Sequence, residues 1–112
     1  MEDTSTSNIS SEVKFTSNQK AELTPQSTFQ ITIGIKSTEI DDEFVLADLL
    51  SDKSFRLNTT GSFVWSLILR DASLGEIENV FSNEYDLSSD EAHEHILRLV
   101  KSLMHSGLIA LS

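Results

Sequence analysis

Between Leu57 and Trp65 the periodicity of this chain changes, and that change limits the folds open to it. Upstream, Phe55 and Leu57 flank Arg56 in the period-two pattern of a strand with one buried face. Downstream, Val64, Leu67 and Ile68 recur at helical spacing, and Trp65, the only tryptophan, sits among them. Asn58 or Thr59 supplies the side-chain oxygen that caps a helix running to about Leu69. A strand end, a polar cap and a tryptophan-bearing helix within nine residues commit the chain to a mixed architecture.

The strand side extends back to Phe29. Ile31, Ile33 and Ile35 alternate with Thr32 and Gly34, which predicts one continuous strand with a buried face. Glu39 to Glu43 reads as an acidic turn, and Phe44 to Leu50 as the strongest strand. Ser51-Asp52-Lys53-Ser54 supplies turn residues before Phe55-Arg56-Leu57, so these last two segments read as a β-hairpin.

The helical side contains two further segments, each opened by a capping box. Ser73 with Glu76 starts one with the stripe Leu74, Ile77, Phe81 and Tyr85. Ser88 with Glu91 starts the longest, whose inward face is Ala92, Ile96, Leu99, Val100 and Leu103. Gly107 provides a stop, and Leu108 to Leu111 forms a short apolar tail expected to fold back onto the core. Three strands alone leave an apolar face open, and three short helices alone are marginal. Packing one against the other gives an α+β domain of winged helix-turn-helix type, a three-stranded antiparallel sheet followed by three α-helices. Residues 1–28 are rich in Ser, Thr, Asn and Gln, with Ile9, Val13, Phe15 and Leu23 scattered among them. This composition reads as a flexible arm ahead of a domain over 29–112, or as a short strand that docks on binding.

Charge and composition remove whole classes of function. A net charge of −10 disfavours duplex DNA and anionic membranes, both of which attract basic proteins. From Asp71 to His95 there are many acids and no Lys or Arg, so a recognition helix there lacks phosphate-neutralising cations. With no cysteine there is no disulfide, thiol nucleophile or thiolate metal site. Met1 to Asn8 carries neither a basic nor an apolar signal region, and no apolar run approaches the ~20 residues that span a bilayer. A cytoplasmic protein is expected.

His93 and His95, two apart on a helix, project to different sides, unlike the i,i+4 pair of a zinc site. The carboxylate groups Asp41-Asp42-Glu43 and Asp90-Glu91 lie on turns and helix starts, where solubility and the helix dipole account for them. No nucleophile elbow or phosphate loop is present, so no catalytic residue, cofactor or metal is expected.

A protein-recognition surface remains. Phe55 to Leu57 is short and ends at a helix, which places it at a sheet edge where an extended peptide can add as a strand, with Leu57 as one of the free donors. Leu97, Lys101 and Met104 lie off the core stripe of the third helix and offer the other wall of a groove. A winged-helix DNA-binding regulator and a structural subunit of an enzyme complex are the alternatives.

The run from about Glu39 to Leu111 resembles the PqqD-like family of peptide chaperones, also called RiPP recognition elements. The matching pieces are Phe44-Val45-Leu46-Ala47-Asp48, Phe55-Arg56-Leu57-Asn58-Thr59-Thr60-Gly61, and Val64-Trp65. Leu74-Gly75-Glu76-Ile77 before Glu84-Tyr85-Asp86, and the closing Leu103 to Gly107-Leu108-Ile109, match as well. The Asn-Thr-Thr-Gly turn is more similar to the broad group than to the member of the PQQ pathway. The resemblance implies a domain that binds the leader of a ribosomally made precursor peptide. The leader adds to the third strand against the third helix, and the domain presents it to a radical SAM enzyme or, in lasso-peptide systems, a leader peptidase. Carried onto this chain, the implied contacts are Lys53, Phe55, Arg56 and Leu57 on the strand, and Ile96, Leu97, Val100, Lys101 and Met104 on the helix.

Overall fold

A computed structural model describes residues 23–112. Among the described residues eight elements follow one another: β1 (Phe29–Ile31), β2 (Ile35–Ile40), β3 (Glu43–Asp48), β4 (Lys53–Arg56), α1 (Thr59–Leu69), α2 (Leu74–Tyr85), α3 (Ser89–His105) and β5 (Ile109–Leu111). β2, β3 and β4 form an antiparallel sheet in that order, and three helices follow, as in a winged-helix domain.

The expected continuous strand from Phe29 is broken in two. Gly34 adopts φ +95°, a conformation that favours glycine, and a Cβ placed on it would also come within 2.9 Å of Leu50 Cγ and push that exposed side chain aside. The break leaves Ile33 86% exposed rather than on a buried face. It also sends β1 to a different partner: Phe29, Gln30 and Ile31 pair with Leu111, Ala110 and Ile109 of β5. The C-terminal tail therefore does fold back onto the core, as the second strand of a small separate sheet.

Two turns set the register of the main sheet. The acidic turn is shorter than expected, because Ile40 and Glu43 already pair and only Asp41 and Asp42 form the loop. Both have positive φ, 54° and 67°, the type I′ geometry that suits the twist of a hairpin. β3 ends at Asp48, not at Leu50. The Asp48 carboxylate accepts the N–H groups of Leu50 (3.0 Å) and Ser51 (3.3 Å), and its carbonyl accepts that of Asp52 (2.9 Å). This side-chain turn stops the strand and leaves Leu49 and Leu50 68% and 79% exposed.

The helix signals are realised in detail. Asn58 caps α1, its Oδ1 accepting from Gly61 N–H at 2.8 Å, a bond of the kind that contributes about 1 kcal/mol. Both capping boxes are closed: Ser73 with Glu76, and Ser88 with Glu91. In the second, the Ser88 N–H and then its hydroxyl hold the Glu91 carboxyl below its ordinary range. Gly107, at φ +79°, follows α3.

The core lies between the sheet and the helices. Leu46 of β3 shares one buried cluster with Val64, Trp65 and Ile68 of α1, Ile77 and Phe81 of α2, Ala92, Ile96, Val100 and Leu103 of α3, and Phe29 and Ile109 of the small sheet. Leu99 and Tyr85 sit at its margin, Tyr85 being 38% exposed. The body also reaches back beyond Phe29. Leu23 packs against the core, and the carbonyls of Pro25 and Ser27 accept the N–H groups of Gly75 and Leu74 at the start of α2, at 2.9 and 2.8 Å. The last six residues assigned to the arm, 23–28, thus lie on the domain, whereas Ile9, Val13, Phe15 and the rest of 1–22 lie outside the described residues. Among the described residues no helix is long and apolar enough to cross a membrane.

Candidate functional site

β4 pairs with β3 on one side only, and among the described residues no strand pairs with its other edge. The direction in which its backbone groups point follows from one bond. The N–H of Leu57 donates to the carbonyl of Phe44 at 2.9 Å, so Leu57 spends its donor inside the sheet. In an antiparallel ladder such pairs alternate. Phe55 and Lys53 therefore turn their N–H and C=O groups to Leu46 and Asp48, while Ser54 and Arg56 turn theirs outward. The expectation that Leu57 is an edge donor is corrected: the outward donors belong to Ser54 and Arg56. Ser54 was missed because this parity depends on register, which no local pattern in the strand reports.

The side chains alternate as well. Phe55 lies opposite Leu46 and is half-buried against the core, as is Leu57 just beyond the strand. Lys53 and Ser54 are exposed. Arg56 points to the other face, where its Nη2 lies 3.3 Å from Glu43 Oε1, and Thr59 donates to the second oxygen of the same carboxylate. Its guanidinium is thus engaged on the face away from Phe55.

The α3 candidates separate into two groups. Ile96 and Val100 are fully buried and belong to the core. Leu97 and Met104 are half-buried and Lys101 is exposed. A concavity of about 600 Å³ on this side of α3 is lined, among the described residues, by Asp90, His93, Glu94, Leu97, Arg98 and Lys101. Its charge is polarised along the helix. The acids sit at the N-terminal half, and no Asp or Glu follows Glu94 anywhere in the chain. β4 packs on β3, and α3 packs on α2 and β5. Phe55, Leu57 and Met104 all border the same apolar cluster, which is what relates the strand to the helix.

The histidines face different neighbours. His93 Nδ1 lies 2.7 Å from Glu78 Oε2 on α2, and the ring of His95 meets Phe81 at 5.5 Å between centroids.

The turn entering β4 carries a titratable support. The Ser51 hydroxyl, then the Leu50 N–H, hold the Asp48 carboxyl below its ordinary range. A depressed carboxyl supports structure above the unfolded-state value of about 3.9 and loses that support as pH falls through the lower folded value. The Leu50 and Ser51 amide resonances are expected to titrate together below about pH 4. Titration of these amides at or above the ordinary Asp value would contradict the arrangement.

Comparison with known proteins places this geometry. Residues 43–109, from the start of β3 to the start of β5, match the family model described as coenzyme PQQ synthesis protein D (PqqD). A search of the curated proteins returns no match. Among solved structures, TbiB1 in complex with the TbiA(beta) leader peptide is 28% identical with a TM-score of 0.68, covering 71% of this chain and 93% of that one. Lasso peptide synthetase B1 complexed with the leader peptide is 26% identical, also at 0.68, covering 73% and 96%. These relatives are leader-peptide-binding proteins, and members of the family are generally non-catalytic. A three-stranded sheet, three capped helices, and a sequence match across both agree on one assignment: the chain belongs to the PqqD family.

Proposed function

We propose that this protein is a non-catalytic cytoplasmic adaptor that binds the leader of a ribosomally made precursor peptide and presents it to a modifying enzyme, a radical SAM enzyme or a leader peptidase. The observation that carries the reading is the outer edge of β4, which no strand among the described residues pairs with and where the Ser54 and Arg56 backbone groups turn outward. A leader adding there completes hydrogen bonds that the edge leaves open, so affinity comes from the main chain and selectivity from the flanking side chains. Lys53, Phe55 and Leu57 flank it on the strand side, and Leu97, Lys101 and Met104 are the helix contacts. Ile96 and Val100 act from beneath, as the buried floor that sets the position of α3. Binding needs no metal or cofactor.

Lys53, Arg98 and Lys101 favour acidic leader residues, and Arg56 joins them where a leader carboxylate replaces its exposed pair with Glu43. The test is calorimetric titration with the leader of a precursor peptide encoded beside this gene. Saturable binding that weakens as salt rises is expected. Absence of saturable binding to that leader overturns the reading.

A further inference from the structure

A second concavity, independent of the β4 edge, lies between the β2–β3 hairpin, α1 and the end of α2. Its volume is about 280 Å³, and Phe44, Phe63 and Tyr85 line it together with the carboxylates of Glu39, Asp42 and Glu84. The aromatic part is built. Phe63 of α1 meets Tyr85 of α2 edge-on, with centroids 5.7 Å apart and planes at 86°, so the two rings form a corner backed by Phe81. Phe44 is tied in from the sheet, its N–H donating to Ser62 Oγ of α1 at 2.8 Å. Glu39 is the cross-strand neighbour of Phe44, and Asp42 is fixed in the type I′ turn at φ 67°. The Ser66 hydroxyl is satisfied by the Phe63 carbonyl at 2.6 Å and offers no spare donor to an anion.

This lining selects a cation. Among the described residues, none of the three acids is ion-paired. Aromatic rings attract a cation to their faces, and a planar guanidinium stacks there better than an ammonium. The volume falls just below the range of about 300–1,000 Å³ typical of small-molecule sites and suits one long side chain. A free amino acid would bring its own carboxylate against Glu39, Asp42 and Glu84, with no cation among the lining residues to receive it. An arginine within a polypeptide carries no such charge. We propose that this aromatic, acid-rimmed concavity is a receptor for an arginine side chain presented by a partner protein, on a surface separate from the peptide-binding edge. The net charge of −10 draws such a basic partner from a distance.

The test is an NMR titration of the full chain with a blocked Gly-Arg-Gly peptide and its lysine and norleucine counterparts. Ring resonances of Tyr85 and Phe63 are expected to shift with arginine, less with lysine and not with norleucine. Tyr85→Leu, and separately the pair Glu39→Gln with Glu84→Gln, are expected to weaken arginine binding about fivefold. Tyr85→Phe keeps the ring and is expected to keep binding. The charge-matched pair Asp52→Asn with Asp71→Asn, both at positive-φ turn positions that asparagine tolerates, is expected to leave binding unchanged. Shifts spread evenly over the acidic surface, or binding that Tyr85→Leu does not alter, would overturn the proposal.

Discussion

Replacing Trp65 with alanine is expected to lower stability by about 3–5 kcal/mol, a large share of the 5–15 kcal/mol that holds a typical domain together. The indole is fully buried, among the largest such side chains, in the first helix and against the core face of the sheet. Its removal opens a cavity at the place where sheet and helices meet, so the surroundings cannot collapse without moving α1. Urea unfolding gives the measurement, and a near-neutral result would contradict this packing. A second substitution isolates the contribution of volume. Among the described residues Trp65 Nε1 is buried with no hydrogen-bond partner. Such an orphaned donor costs roughly 1–3 kcal/mol. Trp65→Phe removes that donor as the alanine variant does but keeps a six-membered ring in the core, so its destabilisation is expected to fall well below that of the alanine variant. Equal losses in the two would mean that ring volume is not what Trp65 supplies to the core.

Much of the fold was legible because its signals are local. Ser73 with Glu76, Ser88 with Glu91, and Gly107 each place a helix boundary from a few adjacent residues, and all three occur where expected. The helix stripes were legible for the same reason, down to Ala92, Ile96, Val100 and Leu103. What was misread depends on distant partners. The alternation of Ile31, Ile33 and Ile35 is a sound strand pattern, yet the chain turns at Gly34, where Leu50 closes over it from the next hairpin. Leu49 and Leu50 look like strand residues until Asp48 folds its carboxylate onto their backbone. Asp48 followed three residues later by Ser51 was the available sign of that turn. The candidate site divides the same way. Its location on β4 follows from chain order, but which of its residues face outward depends on a register set by two turns, and the burial of Ile96 and Val100 depends on how α3 rolls against α2 and β5.

That register makes a sharp contrast between two neighbouring prolines. Ser54→Pro removes an outward N–H from an edge strand, a position where proline is tolerated, and the exposed serine has no side-chain hydrogen bond among the described residues to lose. Folding stability is expected to change little. A leader adding to the edge, however, loses a main-chain bond and meets a pyrrolidine ring in its path. Affinity is expected to fall at least about tenfold, or about 1.4 kcal/mol. Leu57→Pro behaves in the opposite manner. It removes the donor that holds β4 to Phe44, beside the cap of α1, so unfolding is expected to become easier by more than the Ser54 change allows. Paired measurements of unfolding and of leader titration on both variants decide the matter. Ser54→Pro with undiminished affinity would mean that the peptide does not pair with this edge, whatever else on α3 it touches. A larger stability loss at Ser54 than at Leu57 would mean that the ladder parity read from the Leu57 bond is wrong, and that Leu57, not Ser54, faces the ligand.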